Sequence, residues 1–148
     1  MTDKIRKRVV SQSKSFDELI ELARRKEDML RSIPAILPIS NKDLTRTASG
    51  YGLRIHPIYK IIKFHYGMDF TAPSGTDVYA TGNGVVAAVL RSKRGLGNHI
   101  IINHGYGDST VYAHLDSFNV RSGQKVERGW TAAGSGWGAA PAWARRPR

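Results

Sequence analysis

The chain has no cysteine among its 148 residues, which excludes disulfide bonds and thiolate metal ligands. It also lacks an apolar run near the about 18 residues that a membrane-spanning helix requires, and it shows no secretory signal at its N-terminus. We therefore expect no membrane segment in this chain. The hydrophobic fraction of 41% and the charged fraction of 24% are typical of a folded globular protein.

Acidic residues are scarce. Lysine and arginine number 23 against 12 aspartates and glutamates, so the net charge is +11. Such a charge suggests affinity for nucleic acids. The basic residues cluster at 4–14 and 145–148, however, without interleaved aromatic residues and without a helix-turn-helix, RNA-recognition or zinc-finger pattern. We therefore expect no nucleic-acid partner, only a weaker attraction to anionic polymers.

Three regions differ in their sequence patterns. Residues 1–46 contain a basic segment, an amphipathic helix and a linker. The capping-box spacing of Ser15 and Glu18 predicts that the helix starts at Ser15, and Pro34 predicts its end. From residue 47 to 128, short runs rich in valine, isoleucine and tyrosine alternate with glycine-containing turns, which predicts an antiparallel β domain. The runs are "DVYA", "GVVAAVLRS", "NHIIINHG", "STVYAHL" and "SFNV".

Residues 129–148 form an atypical tail. Eighteen of these twenty residues are Gly, Ala, Trp, Pro or Arg, and all three tryptophans of the chain occur here. We find neither strand nor helix periodicity in the segment. A flexible low-complexity tail is one interpretation. We prefer out-of-frame translation after a frameshift near Gly129, because nothing earlier in the chain has this composition.

The stretch "FHYGMDF" holds two candidate metal ligands, His65 and Asp69. On an extended strand they would lie about 13 Å apart, so they share one ion only if the chain bends, which Gly67 allows. An imidazole and a carboxylate suit catalytic zinc, which takes three protein ligands. The spacing alone is a weak signal. For His56, His99 and His104 we expect structural roles.

The surrounding sequence strengthens this hypothesis, because "SGYGLRIHPIYKIIKFHYGMDFTAPSGTDVYATGNGVV" and "GNHIIINHGYGDSTVYAHL" resemble the M23 (lysostaphin or LytM-type) zinc metallopeptidases. The resemblance implies a mainly β, antiparallel domain that cuts peptidoglycan peptides in the cell envelope. It also implies that Zn²⁺ is the cofactor, that His65 and Asp69 are metal ligands, and that His114 is a catalytic residue.

One part of the family pattern is missing. The third zinc ligand of the family belongs to an H-x-H motif, and this chain has no histidine after His114. We therefore expect an impaired zinc endopeptidase, with unpaired strand edges and an uncovered apolar face. The alternative is a non-catalytic, wall-binding module that activates other wall hydrolases. Retention of His65, Asp69 and His114 favours recent damage over evolved regulation.

Overall fold

The computed structural model describes residues 2–55 and 60–136. The chain divides into two compact units, Met1–Arg31 and Ser32–Arg148. His56, one of the histidines considered above, lies outside the described residues.

The first unit is a single helix, and α1 extends over Thr2–Ser32. The predicted start at Ser15 was wrong, because the helix continues through this residue and the Ser15 hydroxyl donates to the Ser11 carbonyl at 3.2 Å. The basic segment is thus helical rather than a separate region. The predicted end near Pro34 is confirmed, since proline disfavours helical geometry in the residue before it. Within the described residues, no helix combines the length and apolar character that crossing a membrane requires.

The second unit contains eleven described strands, and all the pairings among these described strands are antiparallel. The predicted antiparallel β fold is therefore confirmed. The strands are β1 (Arg46–Ser49), β2 (Gly52–Ile55), β3 (Ile62–His65), β4 (Asp69–Thr71), β5 (Asp77–Tyr79), β6 (Gly84–Leu90), β7 (His99–Gly105), β8 (Asp108–Tyr112), β9 (Leu115–Phe118), β10 (Lys125–Val126) and β11 (Thr131–Ser135).

The main core includes residues from two sheets. One sheet has the order β10-β6-β7-β8 and the other β5-β11-β9. Alternation along β7 buries Ile100 and Ile102 completely, as expected for a strand with one face on a core. These residues join a cluster with buried side chains from the second sheet, including Val78 and Ala133. A smaller cluster of Ile39, Phe70 and Ala72 includes residues of β4 and its flanks.

Strand β11 corrects the boundary expected at residue 129. The sequence showed no strand pattern there, yet Thr131–Ser135 pairs with β5 on one side and β9 on the other. Four of its five residues are buried, so the polar alternation of a half-exposed strand is absent. At Gly134 an added Cβ would lie 2.8 Å from the Ser117 hydroxyl oxygen, which explains the small residue. The predicted tail beyond Gly136 lies outside the described residues.

Strands β2 and β3 form a two-stranded hairpin with two different faces. The register pairs Gly52 with His65 and Arg54 with Lys63, which places the polar side chains of Arg54, Lys63 and His65 on one face. The other face is apolar and largely exposed to solvent; Leu53 is 74% and Ile62 72% exposed. Its members are Tyr51, Leu53, Ile55, Ile62, Phe64 and Tyr66. We call this the apolar hairpin face.

Candidate metal site

His65 and Asp69 lie at the ends of successive strands. His65 is the last residue of β3 and Asp69 the first of β4, with three residues between them. β4 pairs with β1 and not with β3, so the chain changes partner strand in this interval. The bend expected between the two residues is therefore present, and it brings His65 Nε2 to 3.2 Å from Asp69 Oδ1.

The hydrogen bonds of His65 define which ring nitrogen faces the carboxylate. His65 Nδ1 lies 2.9 Å from the Gly50 carbonyl oxygen, which can only accept, so Nδ1 carries a hydrogen. In a neutral ring Nε2 then presents a lone pair to Asp69 Oδ1, which also carries lone pairs. Two acceptors at this distance repel unless a cation, either a proton or a metal ion, lies between them. The pair is therefore a candidate for holding a cation.

The spacing fits zinc. Nitrogen and oxygen ligands lie about 2.0–2.1 Å from zinc, and in tetrahedral geometry two such atoms are about 3.3–3.4 Å apart. The observed separation of 3.2 Å is close to this value. A backbone carbonyl on the far ring nitrogen is also a usual partner of a metal-bound histidine. Both side chains are mostly buried, with exposed fractions of 15% for His65 and 22% for Asp69.

Arg54 is the residue that the sequence did not single out. Its guanidinium lies 3.2 Å from Asp69 Oδ2, the oxygen that does not contact His65. Arg54 and His65 occupy the same face of the hairpin, at positions two residues apart in the pairing register. The alternation of β2 in the sequence could have indicated this, but the pairing with β3 had to be known first.

His114 has an unusual backbone. Its φ is +56°, in the left-handed region that few non-glycine residues adopt. Two hydrogen bonds hold it there: its N–H donates to the Leu96 carbonyl at 2.9 Å, and its carbonyl accepts from Gly136 N–H at 3.1 Å. The side chain is exposed. Strained, well-held residues of this kind concentrate at functional sites, which is a reason to keep His114 as a candidate.

A third ligand is not found next to the pair. In residues 2–55 and 60–136, no group of three or more His, Asp or Glu side chains is arranged to hold a metal ion. Among the described residues, a metal ion at this position would therefore have two protein ligands, His65 and Asp69. His114 stays a predicted catalytic neighbour rather than an observed member of the cluster.

His104 has the structural role expected for it, in a buried polar network. Nδ1 lies 2.7 Å from the Asn83 carbonyl oxygen, and Nε2 lies 2.8 Å from the Thr110 hydroxyl. Thr110 in turn bonds the Tyr112 hydroxyl, which also contacts Thr81. Every polar side-chain group of the network is satisfied, as buried groups require.

Burial lowers the pKa of His104 from its ordinary value of 6.5, against the opposing effects of the Asn83 hydrogen bond and the Asp108 charge. The folded state thus favours the neutral ring. The stability this contributes is complete above pH 6.5 and is lost as the pH falls through the lowered pKa. We expect the free energy of unfolding of the wild-type chain to fall between pH 7 and pH 5 more steeply than that of His104→Gln. A single proton limits the difference to about 1.4 kcal/mol per pH unit.

Urea unfolding at several pH values measures this difference directly. His99→Gln is the matched control, because His99 is partly exposed and its Nδ1 contacts the nearby Gly97 carbonyl at 2.8 Å. It replaces an imidazole outside the buried network with the same amide, so it reports the effect of the substitution itself. Equal pH slopes for wild type and His104→Gln would show that His104 titrates alike in the folded and unfolded chain.

Comparison with known proteins identifies the family of the chain. The model of Peptidase family M23 matches residues 63–141, more than half of the chain. The chain belongs to peptidase family M23. The matched residues include His65, Asp69 and His114, and they extend through β11, which the sequence had assigned to the tail.

Curated relatives of this M23 chain include bacterial endopeptidases. The chain is 42% identical over 87 residues to the DD-carboxypeptidase/endopeptidase Mpg of Neisseria meningitidis. This match covers 55% of this chain and 20% of the relative. It is 45% identical over 76 residues to the peptidoglycan DD-endopeptidase ShyA of Vibrio cholerae, covering 51% of this chain and 17% of the relative. The chain spans about a fifth of the length of these relatives.

Solved structures of the family share the fold. A zinc-containing peptidase from Vibrio cholerae superposes with a TM-score of 0.62 and 33% identity, over 76% of this chain and 33% of that chain. The catalytic domain of lysostaphin from Staphylococcus simulans superposes with a TM-score of 0.57 and 30% identity, over 69% of this chain and 77% of that chain. The lysostaphin-like fold expected from the sequence is confirmed.

Proposed function

We propose that this M23 chain is a zinc metalloendopeptidase by descent that hydrolyses peptide bonds of bacterial peptidoglycan, and that its activity is impaired. The observation that carries the proposal is the contact of His65 Nε2 with Asp69 Oδ1 at 3.2 Å, with the far ring nitrogen fixed by Gly50. This donor set and spacing suit zinc. The substrate class is that named for the relative ShyA.

In this proposal His65 and Asp69 hold the ion through Nε2 and Oδ1. Zinc bound there would supply Lewis-acid activation of water and of the scissile carbonyl. Arg54 orients Asp69 by occupying its second oxygen. His114 would transfer a proton or donate a hydrogen bond to the developing oxyanion, as an exposed imidazole near a substrate can.

The proposed impairment follows from the ligand count. Catalytic zinc ordinarily has three protein ligands, and this chain has no histidine after His114 to supply the H-x-H residue of the family. We expect zinc binding to be much weaker than in a three-ligand site.

Two measurements on the purified full chain test the proposal. Zinc content by elemental analysis is expected to be below one ion per chain after dialysis. Digestion of purified peptidoglycan, followed as released amino groups, is expected to be slow, dependent on added Zn²⁺, and abolished in Asp69→Asn. Peptidase activity that survives this substitution would reject the assigned site. Tight, stoichiometric zinc with full wall-lytic activity would reject the impairment.

The alternative is a degenerate module that binds the wall or activates other wall hydrolases without cleaving. The lack of a three-ligand cluster among the described residues favours it. Cosedimentation with insoluble peptidoglycan, together with zinc-independent stimulation of a second hydrolase, would support this alternative. Under either function we place the protein in the cell envelope with peptidoglycan peptides as partners, since the relatives include a lipoprotein of Escherichia coli, 44% identical over 70 residues.

The role proposed for Arg54 gives a separate prediction. Arg54→Gln frees Asp69 Oδ2 and is expected to weaken Zn²⁺ binding about tenfold or more, the usual cost of losing a group that holds a metal ligand. Lys63→Gln is the matched control, because Lys63 pairs with Arg54 across the hairpin and its replacement removes the same charge from the same face. Competition titration against a coloured chelator measures both. If the two variants bind Zn²⁺ equally well, Arg54 does not position Asp69.

We also propose a domain division of residues 1–46, 47–128 and 129–148 with one adjustment, in which β11 belongs to the peptidase domain. A change of reading frame then begins after this strand. The nucleotide sequence downstream of codon 135 tests it: another frame that encodes an H-x-H strand supports the frameshift, and its absence supports a genuine tail.

A further inference from the structure

The backbone around His114 is held by the loop that joins β6 to β7, residues 91–98, which we call the β6–β7 loop. The Leu96 carbonyl accepts the His114 N–H at 2.9 Å, and the Asn98 carbonyl accepts the Leu115 N–H at the same distance. Both chain neighbours of His114 are buried. The exposed imidazole therefore extends from a backbone segment that the core and the loop fix in place.

Gly97 lies between these two loop carbonyls and faces the His114 side chain. A Cβ added at Gly97 would lie 3.3 Å from His114 Nδ1 and 3.7 Å from His114 Cα. The first distance is shorter than an ordinary van der Waals contact, so a methyl group there would displace the ring by a few tenths of an ångström. The Nδ1 edge of the imidazole thus occupies the space that a side chain at residue 97 would need.

The position of Gly97 is fixed because both of its backbone polar groups are bonded. Its N–H donates to the Arg94 carbonyl at 3.2 Å. Its carbonyl oxygen lies 2.8 Å from His99 Nδ1, which must donate because a carbonyl only accepts. The Ser92 N–H also donates to Asn98 Oδ1 at 3.3 Å, which ties the two ends of the loop together. These bonds hold Gly97 in place without any contribution from the imidazole.

The direction of the His114 ring depends on such packing contacts. Within residues 2–55 and 60–136, the hydrogen bonds of His114 are made by its backbone. A general acid or base acts over hydrogen-bond distances of about 2.6–3.2 Å. A misplacement of about 1 Å can lower a rate about 100-fold, so a small displacement of the ring has a measurable effect.

We infer that Gly97 is a positioning residue for His114, because its lack of a side chain determines where the imidazole lies beside the β6–β7 loop. The inference rests on the proposed function, in which His114 acts as a catalytic residue. It adds to that function a residue outside the His65–Asp69 pair.

Gly95 provides a matched control in the same loop. Its φ of +63° is close to the +61° of Gly97, so an alanine meets a similar backbone penalty at either position. A Cβ added at Gly95 would meet no heavy atom within 4 Å beyond its neighbours in the chain. Gly95→Ala and Gly97→Ala therefore differ in the contact with His114 and share the backbone strain.

Nuclear magnetic resonance of the full chain without added metal tests the position of the ring. The imidazole resonances of His114, assigned with His114→Gln, are expected to shift in Gly97→Ala and to keep their wild-type values in Gly95→Ala. The resonances of His104, which bonds Asn83 and Thr110, serve as the internal reference. Unshifted His114 resonances in Gly97→Ala, or equal shifts in the two variants, would overturn the inference.

A measurement on the wild-type chain covers the case in which Gly97→Ala fails to fold. A nuclear Overhauser contact between the Gly97 Hα atoms and the His114 ring is expected, because a Cβ in place of one of these hydrogens would lie 3.3 Å from Nδ1. Absence of this contact would also overturn the inference.

Kinetics connect the ring position with the reaction. On soluble peptidoglycan fragments with added Zn²⁺, the kcat of Gly97→Ala is expected to be about tenfold or more below that of Gly95→Ala, with a similar KM. Equal kcat values would overturn the positioning role. If the wild-type chain cleaves no fragment, the proposed peptidase function fails, whereas the His114 resonances still decide whether Gly97 positions the ring.

Discussion

Replacement of Asp69 by asparagine is expected to lower the affinity of the chain for Zn²⁺ about 100-fold or more. The substitution keeps the shape of the side chain but removes the negative charge and the strong oxygen donor 3.2 Å from His65 Nε2. Loss of a group that merely holds a metal ligand costs about 10–100-fold, and loss of a ligand from a two-ligand site costs at least as much. Isothermal titration with Zn²⁺ measures the effect.

The control for this experiment is Asp116→Asn. Asp116 is an exposed aspartate on β9, so the change in net charge is the same. Its zinc affinity is expected to equal that of wild type. If Asp69→Asn binds zinc as tightly as this control, the ion lies elsewhere and the site must be reassigned.

Replacement of Ala133 by aspartate is expected to lower the free energy of unfolding by about 3 kcal/mol or more. Ala133 is fully buried at the centre of β11, opposite Val78 on β5 and Phe118 on β9. A carboxylate there loses its hydration without gaining a partner. Since domains are stable by only about 5–15 kcal/mol, a substantial part of the stability is removed. Thermal and urea unfolding measure the loss.

Ala87→Asp makes the same chemical change on an exposed position of β6. It is expected to shift the free energy of unfolding by no more than about 0.5 kcal/mol. Equal stability of the two variants would mean that β11 is not packed in the core, and it would restore residue 129 as the end of the folded domain.

The sequence predicts the strands that have one buried face, because alternating apolar and polar residues between glycine-containing turns indicate such strands. Strands β5 to β9 were all anticipated within a few residues. The sequence fails to predict β11, where Ala132, Ala133 and Gly134 are small and buried, and the composition resembles a low-complexity segment. The early start of α1 was missed for a related reason. The basic segment that precedes Ser15 has too little apolar periodicity to outweigh the capping pattern at Ser15.

The candidate site was predictable as a pair of residues but not as a geometry. The spacing of His65 and Asp69 gave only a weak signal, and the resemblance to the M23 family is what named them as metal ligands. The bend that joins them depends on β4 pairing with β1 instead of β3, which is a tertiary choice. The Arg54 contact depends on the register of the hairpin, and the tautomer of His65 on the position of the Gly50 carbonyl. None of these follows from local sequence.

The apolar hairpin face has a practical consequence for handling the protein. The strand that ends in His65 has an apolar reverse side, so the surface that attracts dyes, detergents or neighbouring molecules adjoins the candidate metal site. The fluorescence of a hydrophobic dye is expected to rise when the dye is mixed with the folded chain. Additives that keep the protein in solution by coating this surface are then expected to alter the measured metal affinity as well. The exposed apolar face and the candidate metal ligand His65 belong to the same hairpin.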